Sequence, residues 1–144
     1  MRMLSRKLLH DQRGVSAIEF ALLTPILICM LLGVMQAGLY MQAHNALSSI
    51  TNDMSRFMSV EYQRQNKVTN DLLESYAYTR AVSPPYLLQG EKLSVEALDA
   101  ESQTIANVRE IKLVLKYRVP DIMAFASFGA MNLSYTRSIY VSAE

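Results

Sequence analysis

From Val15 to Met41 the chain is a largely apolar run with one charged side chain, Glu19. About 20 apolar residues cross a hydrocarbon core of about 30 Å, so this run predicts a membrane-spanning helix over 15–41. Beyond it, apolar residues recur at Ala43, Leu47, Ile50, Met54 and Phe57, in alternating steps of four and three that mark one face of a helix. Asn45, Ser48, Ser49, Asn52 and Asp53 fill the intervening positions. One continuous helix from about Val15 to about Tyr62 is the simplest reading, rising about 70 Å at 1.5 Å per residue. Its upper part would turn the apolar stripe onto a core, as ordinary amphipathic helices do.

A second helical stretch is predicted over Val68 to Arg80, with Val68, Leu72, Leu73 and Tyr76 on its apolar face. Ser83-Pro84-Pro85 ends it and marks an internal boundary. The period then changes from helical to two. Leu93, Val95 and Ala97 alternate with Lys92, Ser94 and Glu96, and Ile111, Leu113, Leu115, Tyr117 and Val119 alternate with Lys112, Val114, Lys116 and Arg118. Each series predicts a strand with one buried face, and a third strand runs from Leu133 to Val141. The connection Pro120–Asn132 is too long for a tight hairpin and contains Ile122, Met123, Phe125 and Phe128, which predicts a short helix capped near Asp121 whose apolar residues cover the sheet, the favoured reading, or else form an exposed contact patch. The fold class is therefore α+β: a long N-terminal helix whose exterior half packs on a small antiparallel sheet, with an exterior helical region over 42–82 and a β-rich region over 83–144. About 100 residues outside the membrane suffice for one small domain and not for two.

Charge orients this arrangement. Arg2, Arg6, Lys7 and Arg13 face only Asp11 in the first 14 residues, a net +3, whereas Met41 to Thr51 carries no Lys or Arg. Basic residues flanking a span stay in the cytoplasm, so the leader 1–14 is expected there and the C-terminal part outside. The ten Lys and Arg beyond the leader face twelve Asp and Glu, and nothing in that balance points to nucleic acid. Cys29, the only cysteine, lies within the span and can form no intramolecular disulfide. His10 and His44 lie on opposite sides of the span and cannot share a metal. The sequence carries no metal-ligand cluster, phosphate-binding glycine loop or nucleophile elbow, so no enzyme, catalytic residue or cofactor is expected.

A carboxylate within a span costs roughly 2.5–3.5 kcal/mol near its centre on insertion scales and marks function by default. Alternatively, Glu19 favours the positive end of the helix dipole, or reaches water at the interface. Its setting beside Gly14 suggests more. A secretory signal peptide has an apolar core of about 7–15 residues ending in a small-residue cleavage site. The run here is about twice as long, and Met35-Gln36-Ala37-Gly38 is the nearest approach to such a site. Cleavage before the run fits better, because Gly14 can enter a narrow protease site in extended conformation. A cut there would free an amine on Val15 one helical turn from Glu19, where the two charges could pair within a chain or between neighbours. Pro25 is expected to loosen the helix, with Thr24 helping to satisfy freed carbonyls. Ala17 with Ala21, and Gly33 with Ala37, are small pairs spaced by four that permit close approach of a partner helix.

The stretch Arg13-Gly14-Val15-Ser16-Ala17-Ile18-Glu19-Phe20 resembles the processing site of type IV prepilin-like proteins. Its continuation, Phe20-Ala21-Leu22-Leu23-Thr24-Pro25, resembles more narrowly the TadE-like pseudopilins and minor pilins of the tight-adherence (Tad, Flp pilus) system, over roughly residues 10–45. This resemblance implies a pilin-like lollipop in the bacterial inner membrane, single-pass, with its C-terminal domain periplasmic. It implies cleavage between Gly14 and Val15 by a membrane-embedded aspartyl prepilin peptidase, with Glu19 used in recognition or assembly. Other Tad pilins, pseudopilins and inner-membrane assembly proteins are the implied partners, besides membrane lipid. Val15 stands where better-known type IV pilins have Phe or Met, and Gln36 where many relatives have a second glutamate, so neither N-terminal methylation nor a second membrane carboxylate carries over. Major Flp-type pilins are much shorter, which makes the extra domain that of a minor pilin or pseudopilin that primes, caps or regulates assembly. The contrasting reading is an unprocessed single-span anchor with an exterior partner-binding domain.

Overall fold

The computed structural model describes residues 13–100, 108–126 and 129–142. Expectations for the leader up to residue 12, for His10 and for Phe128 concern positions outside these. The long helix α1 spans Arg13–Gln63 and passes through Pro25 as a single element. It ends in a Schellman arrangement: the Asn66 amide donates to Glu61 O at 2.9 Å and the Gln65 amide to Tyr62 O at 3.0 Å. Gln65 takes the left-handed position, φ 59°, that glycine more often fills.

The second helix, α2, runs over Asn70–Val82, two residues later at each end than its apolar pattern predicts. Thr69 sets the start, since its hydroxyl oxygen accepts the Leu72 amide at 3.3 Å and satisfies one orphan donor of the first turn. The face that α2 buries is Leu73, Ala77 and Ala81. Leu72 and Tyr76 are exposed, a correction to the expected stripe. Small alanines win the inner positions because they let α2 lie close against the sheet, while Tyr76 stacks obliquely on Phe57 of α1 at 4.9 Å. Ser83 ends the helix, and the Pro84–Pro85 peptide bond is cis.

Three antiparallel strands follow in the order β1-β2-β3: β1 Leu93–Asp99, β2 Val108–Arg118 and β3 Asn132–Ser142. Leu93 faces Tyr117 and Ala97 faces Leu113 across the first pair; Leu115 faces Tyr135 and Ile111 faces Ile139 across the second. The inner face, with Ile111, Leu113 and Leu115 fully buried, meets Leu47, Ile50 and Met58 of α1 and Leu73 of α2 in one core. The outer face is polar, and there Lys116 pairs with Glu96 at 3.0 Å. The β1 edge is partly closed by the Glu74 carboxylate, which accepts the Ala97 amide at 2.6 Å.

The expected α-helix near Asp121 is a single 3-10 turn, Ala124–Ala126. Asp121 does cap locally, its carboxylate accepting the Met123 amide at 2.9 Å. The apolar residues of this connection divide: Met123 is buried, whereas Phe125 faces outward at 65% exposure.

Candidate functional site

Gln36 divides α1. Below it no helix residue from Gly14 to Met35 is buried, and the exposed large side chains include Val15, Phe20, Leu23, Leu27 and Leu31. The helix is long and apolar enough to cross a membrane, with a mean hydropathy of 2.3 over a stretch of which nothing is buried against the rest of the chain. Above Gln36 the same helix gives Ala43, Leu47, Ile50, Met54 and Met58 to the core.

The residues singled out from the sequence all lie on the bare segment or at its upper end. Gly14, Val15, Ala17, Glu19, Phe20, Ala21 and Pro25 are exposed, as is Ala37, and Gly33 is half-buried. Helix α1 includes Gly14 and Val15, so the bond between them is helical. Extended conformation at Gly14, as a protease site requires, means unwinding the helix there. Glycine eases that change, being about 1 kcal/mol poorer than alanine in a helix. Glu19 sits four residues beyond Val15 on the same face, the geometry for pairing with an amine there. A side chain placed at Gly14, Gly33 or Gly38 would meet nothing within 4 Å, which leaves these faces open to a neighbour.

Thr24 behaves differently from the sequence expectation. Its hydroxyl donates to Phe20 O at 2.6 Å. That carbonyl precedes the Ala21 carbonyl which Pro25, lacking an N–H, leaves without its helical donor.

Gln36 was legible only as a departure from the family pattern, yet it fastens the head to the helix. It is 5% exposed, and its side-chain amide both donates to Pro120 O and accepts the Ile122 amide, each at 3.0 Å. A glutamate there could accept from Ile122 but could offer Pro120 nothing when ionised; the amide satisfies both. The other sequence signal was a polar side chain in the otherwise apolar stretch from Pro25 to Met41.

At the far end of α1 a second cluster ties the elements together. Arg109 of β2 donates to Asp99 at 2.8 Å, to the Tyr62 hydroxyl at 2.9 Å and to Asn70 Oδ1 at 3.0 Å. The Arg109 guanidinium holds the Asp99 carboxyl below the usual carboxylate range. A cleft of about 590 Å³ opens beside it, lined by Tyr62, Asn66, Lys67, Asp99 and Arg109. Arg109 spends its donors within the fold, so the cluster is a lock between α1, α2 and the sheet. Midway, Arg80 of α2 pairs with Asp53 of α1 at 3.2 Å, and Tyr86 donates to the same carboxylate; burial, then the Asp53 charge, push the Tyr86 phenol up. Among the described residues no group of three His, Cys, Asp or Glu side chains could hold a metal ion.

Fold and segment together define a class: a small α+β head carried on one helix that qualifies as a membrane span. Residues 14–56 match the family model of the TadE-like proteins, which is consistent with a TadE-like pilin of the Tad system. The matched stretch is almost the whole of α1 and stops short of α2 and the sheet. No curated protein and no solved structure matches the chain.

Proposed function

We propose that this protein is a minor pilin or pseudopilin that takes part in assembly of a Tad-type pilus, a structural subunit with no catalytic activity. The observation that carries the reading is the bare half of α1, with Glu19 as its only charge one turn above Val15, inside the segment that matches the TadE-like family. In this reading the basic leader holds the N-terminus in the cytoplasm and the head lies in the periplasm, across the bacterial inner membrane. A prepilin peptidase cuts after Gly14. The amine freed on Val15 then pairs with Glu19 of the same chain or of a neighbouring pilin, and the open faces at Ala17, Ala21, Gly33 and Ala37 receive partner helices. Other Tad pilins and inner-membrane assembly proteins are the partners.

One observation favours the contrasting reading of an unprocessed anchor: helix α1 includes both Gly14 and Val15, so the bond between them is helical rather than extended. The two readings part at Glu19. If its carboxylate meets the new amine, Glu19→Gln is still cleaved, because the peptidase acts before that amine exists, but recovers less partner in crosslinking or co-purification, by at least about tenfold, the equivalent of 1.4 kcal/mol. Glu19→Asp is intermediate. Wild-type recovery of partners by Glu19→Gln would reduce the residue to a helix-end charge.

A further inference from the structure

We propose that Phe125 and Met131, on the two described arms of the connection between β2 and β3, form a foot that enters the lipid interface and sets the height of the head above the membrane. The proposal rests on reading the lower half of α1 as a membrane span. From Val15 to Met35 that half rises about 31 Å at 1.5 Å per residue, the thickness of the hydrocarbon core. Gln36 therefore lies where acyl chains give way to headgroups. At that level its amide grips Pro120 and Ile122.

Phe125 follows three residues after Ile122 and can be at most about 11 Å from it along the chain. Its ring is 65% exposed, and Met131, whose carbonyl accepts the Val119 amide at 2.9 Å, is 40% exposed beside the other arm of the connection. Neither side chain belongs to the head's core, although Val119 and Met123 on either side of Pro120–Ile122 do pack inward. The connection carries one charge, Asp121, and its carboxylate is turned onto the Met123 amide.

The surroundings match the composition of a membrane–water boundary. Tyr40, 38% exposed, stands one turn above Gln36 on α1, and tyrosine is enriched at that depth. Arg118, exposed at the end of β2, supplies a cation at headgroup height, with an aliphatic stem suited to lie along apolar surface. Continuity with the apolar band of α1 is what selects lipid over other occupants: Phe125, through Ile122, and Met131, through Val119 and Pro120, are tied to Gln36, where that band ends. An apolar side chain buried 5–10 Å into the headgroup–acyl boundary is how interfacial segments hold to membranes.

The sequence contains no tryptophan, so single reporters can be introduced one at a time. The full chain with Leu31→Trp, Phe125→Trp or Val60→Trp is reconstituted in phosphatidylcholine–phosphatidylglycerol vesicles whose acyl chains carry bromine, a contact quencher. Leu31 is on the span and Val60 on the exposed surface of α1 near its far end. Blue-shifted, quenched emission at positions 31 and 125 and unquenched emission at 60 is the expected result. Quenching at 31 with position 125 behaving like position 60 overturns the foot and leaves the span intact. Blue-shifted but unquenched emission at 125 overturns it too, since the apolar cover is then protein, such as a second copy. Absence of quenching at 31 removes the membrane reading itself, and the foot with it.

Discussion

Below Gln36, helix α1 exposes Ile18, Leu22, Leu27 and Leu31; above it, Leu47, Ile50 and Met58 expose nothing. The residue types are the same, and the backbone is one uninterrupted helix. What differs is the spacing of polar positions. The upper half interleaves Asn45, Ser48 and Asn52 with its apolar residues, leaving a single stripe for the sheet and α2 to cover. The lower half, Glu19 apart, carries apolar side chains on every face, which no single small domain could cover, and a bare apolar surface of that extent calls for lipid or neighbouring helices. The comparison teaches that α1 is held by two different solvents: its own head above, and its environment below.

The two halves should respond oppositely to truncation. Leu113→Ala, which empties a fully buried site facing α1, should cost about 2–5 kcal/mol by urea unfolding of the head in detergent, whereas Leu31→Ala on the bare half should leave that transition unmoved. An equal loss for both would dissolve the distinction between them. A smaller effect sharpens the boundary itself. Gln36→Leu removes the partner of the Ile122 amide and the donor to Pro120 O, so about 1–3 kcal/mol should disappear locally. Faster hydrogen exchange confined to residues 119–123, with the rest of the sheet unchanged, is the expected pattern.

The smallest effect lies at the far end of α1. Because Asp99 has its folded pKa lowered by Arg109, its contribution to stability is present above the unfolded value of about 3.9 and is lost as pH falls through the folded value. Both side chains are partly exposed, and such ion pairs contribute about 0–1 kcal/mol. Unfolding of wild type should therefore lose a little more between pH 6 and pH 3 than unfolding of Asp99→Asn. Identical pH profiles would mean that the lock is held by Tyr62 and Asn70 alone.

Much of this was legible beforehand, for identifiable reasons. The continuous helix and the three strands follow from periods that change cleanly, four-and-three at Leu47 and Ile50 and two at Ile111, Leu113 and Leu115. The face of α2 was not, because Leu72 and Tyr76 outweigh Ala77 and Ala81 in any hydrophobic count, while close packing against the sheet prefers the alanines. The division between Met123 and Phe125 depends on a 3-10 turn too short to have a period. Gln36 was visible as a polar interruption, but its partners lie more than 80 residues away, and no local pattern announces Pro120 and Ile122. Glu19 and Gly14 were the reverse case: their sequence setting is distinctive, while in the structure Glu19 is exposed and a side chain placed at Gly14 would meet nothing within 4 Å.

The lower half of α1 is proposed to begin, in the mature protein, at Val15. Intact-mass and N-terminal peptide measurements on the protein recovered from cells with a prepilin peptidase test this directly, with Gly14→Leu alongside. The expected wild-type species starts at Val15, and Gly14→Leu accumulates in the membrane with its leader attached. A wild-type protein that retains residues 1–14, or a Gly14→Leu variant cut as efficiently as wild type, would contradict the pilin reading and leave a membrane anchor in its place.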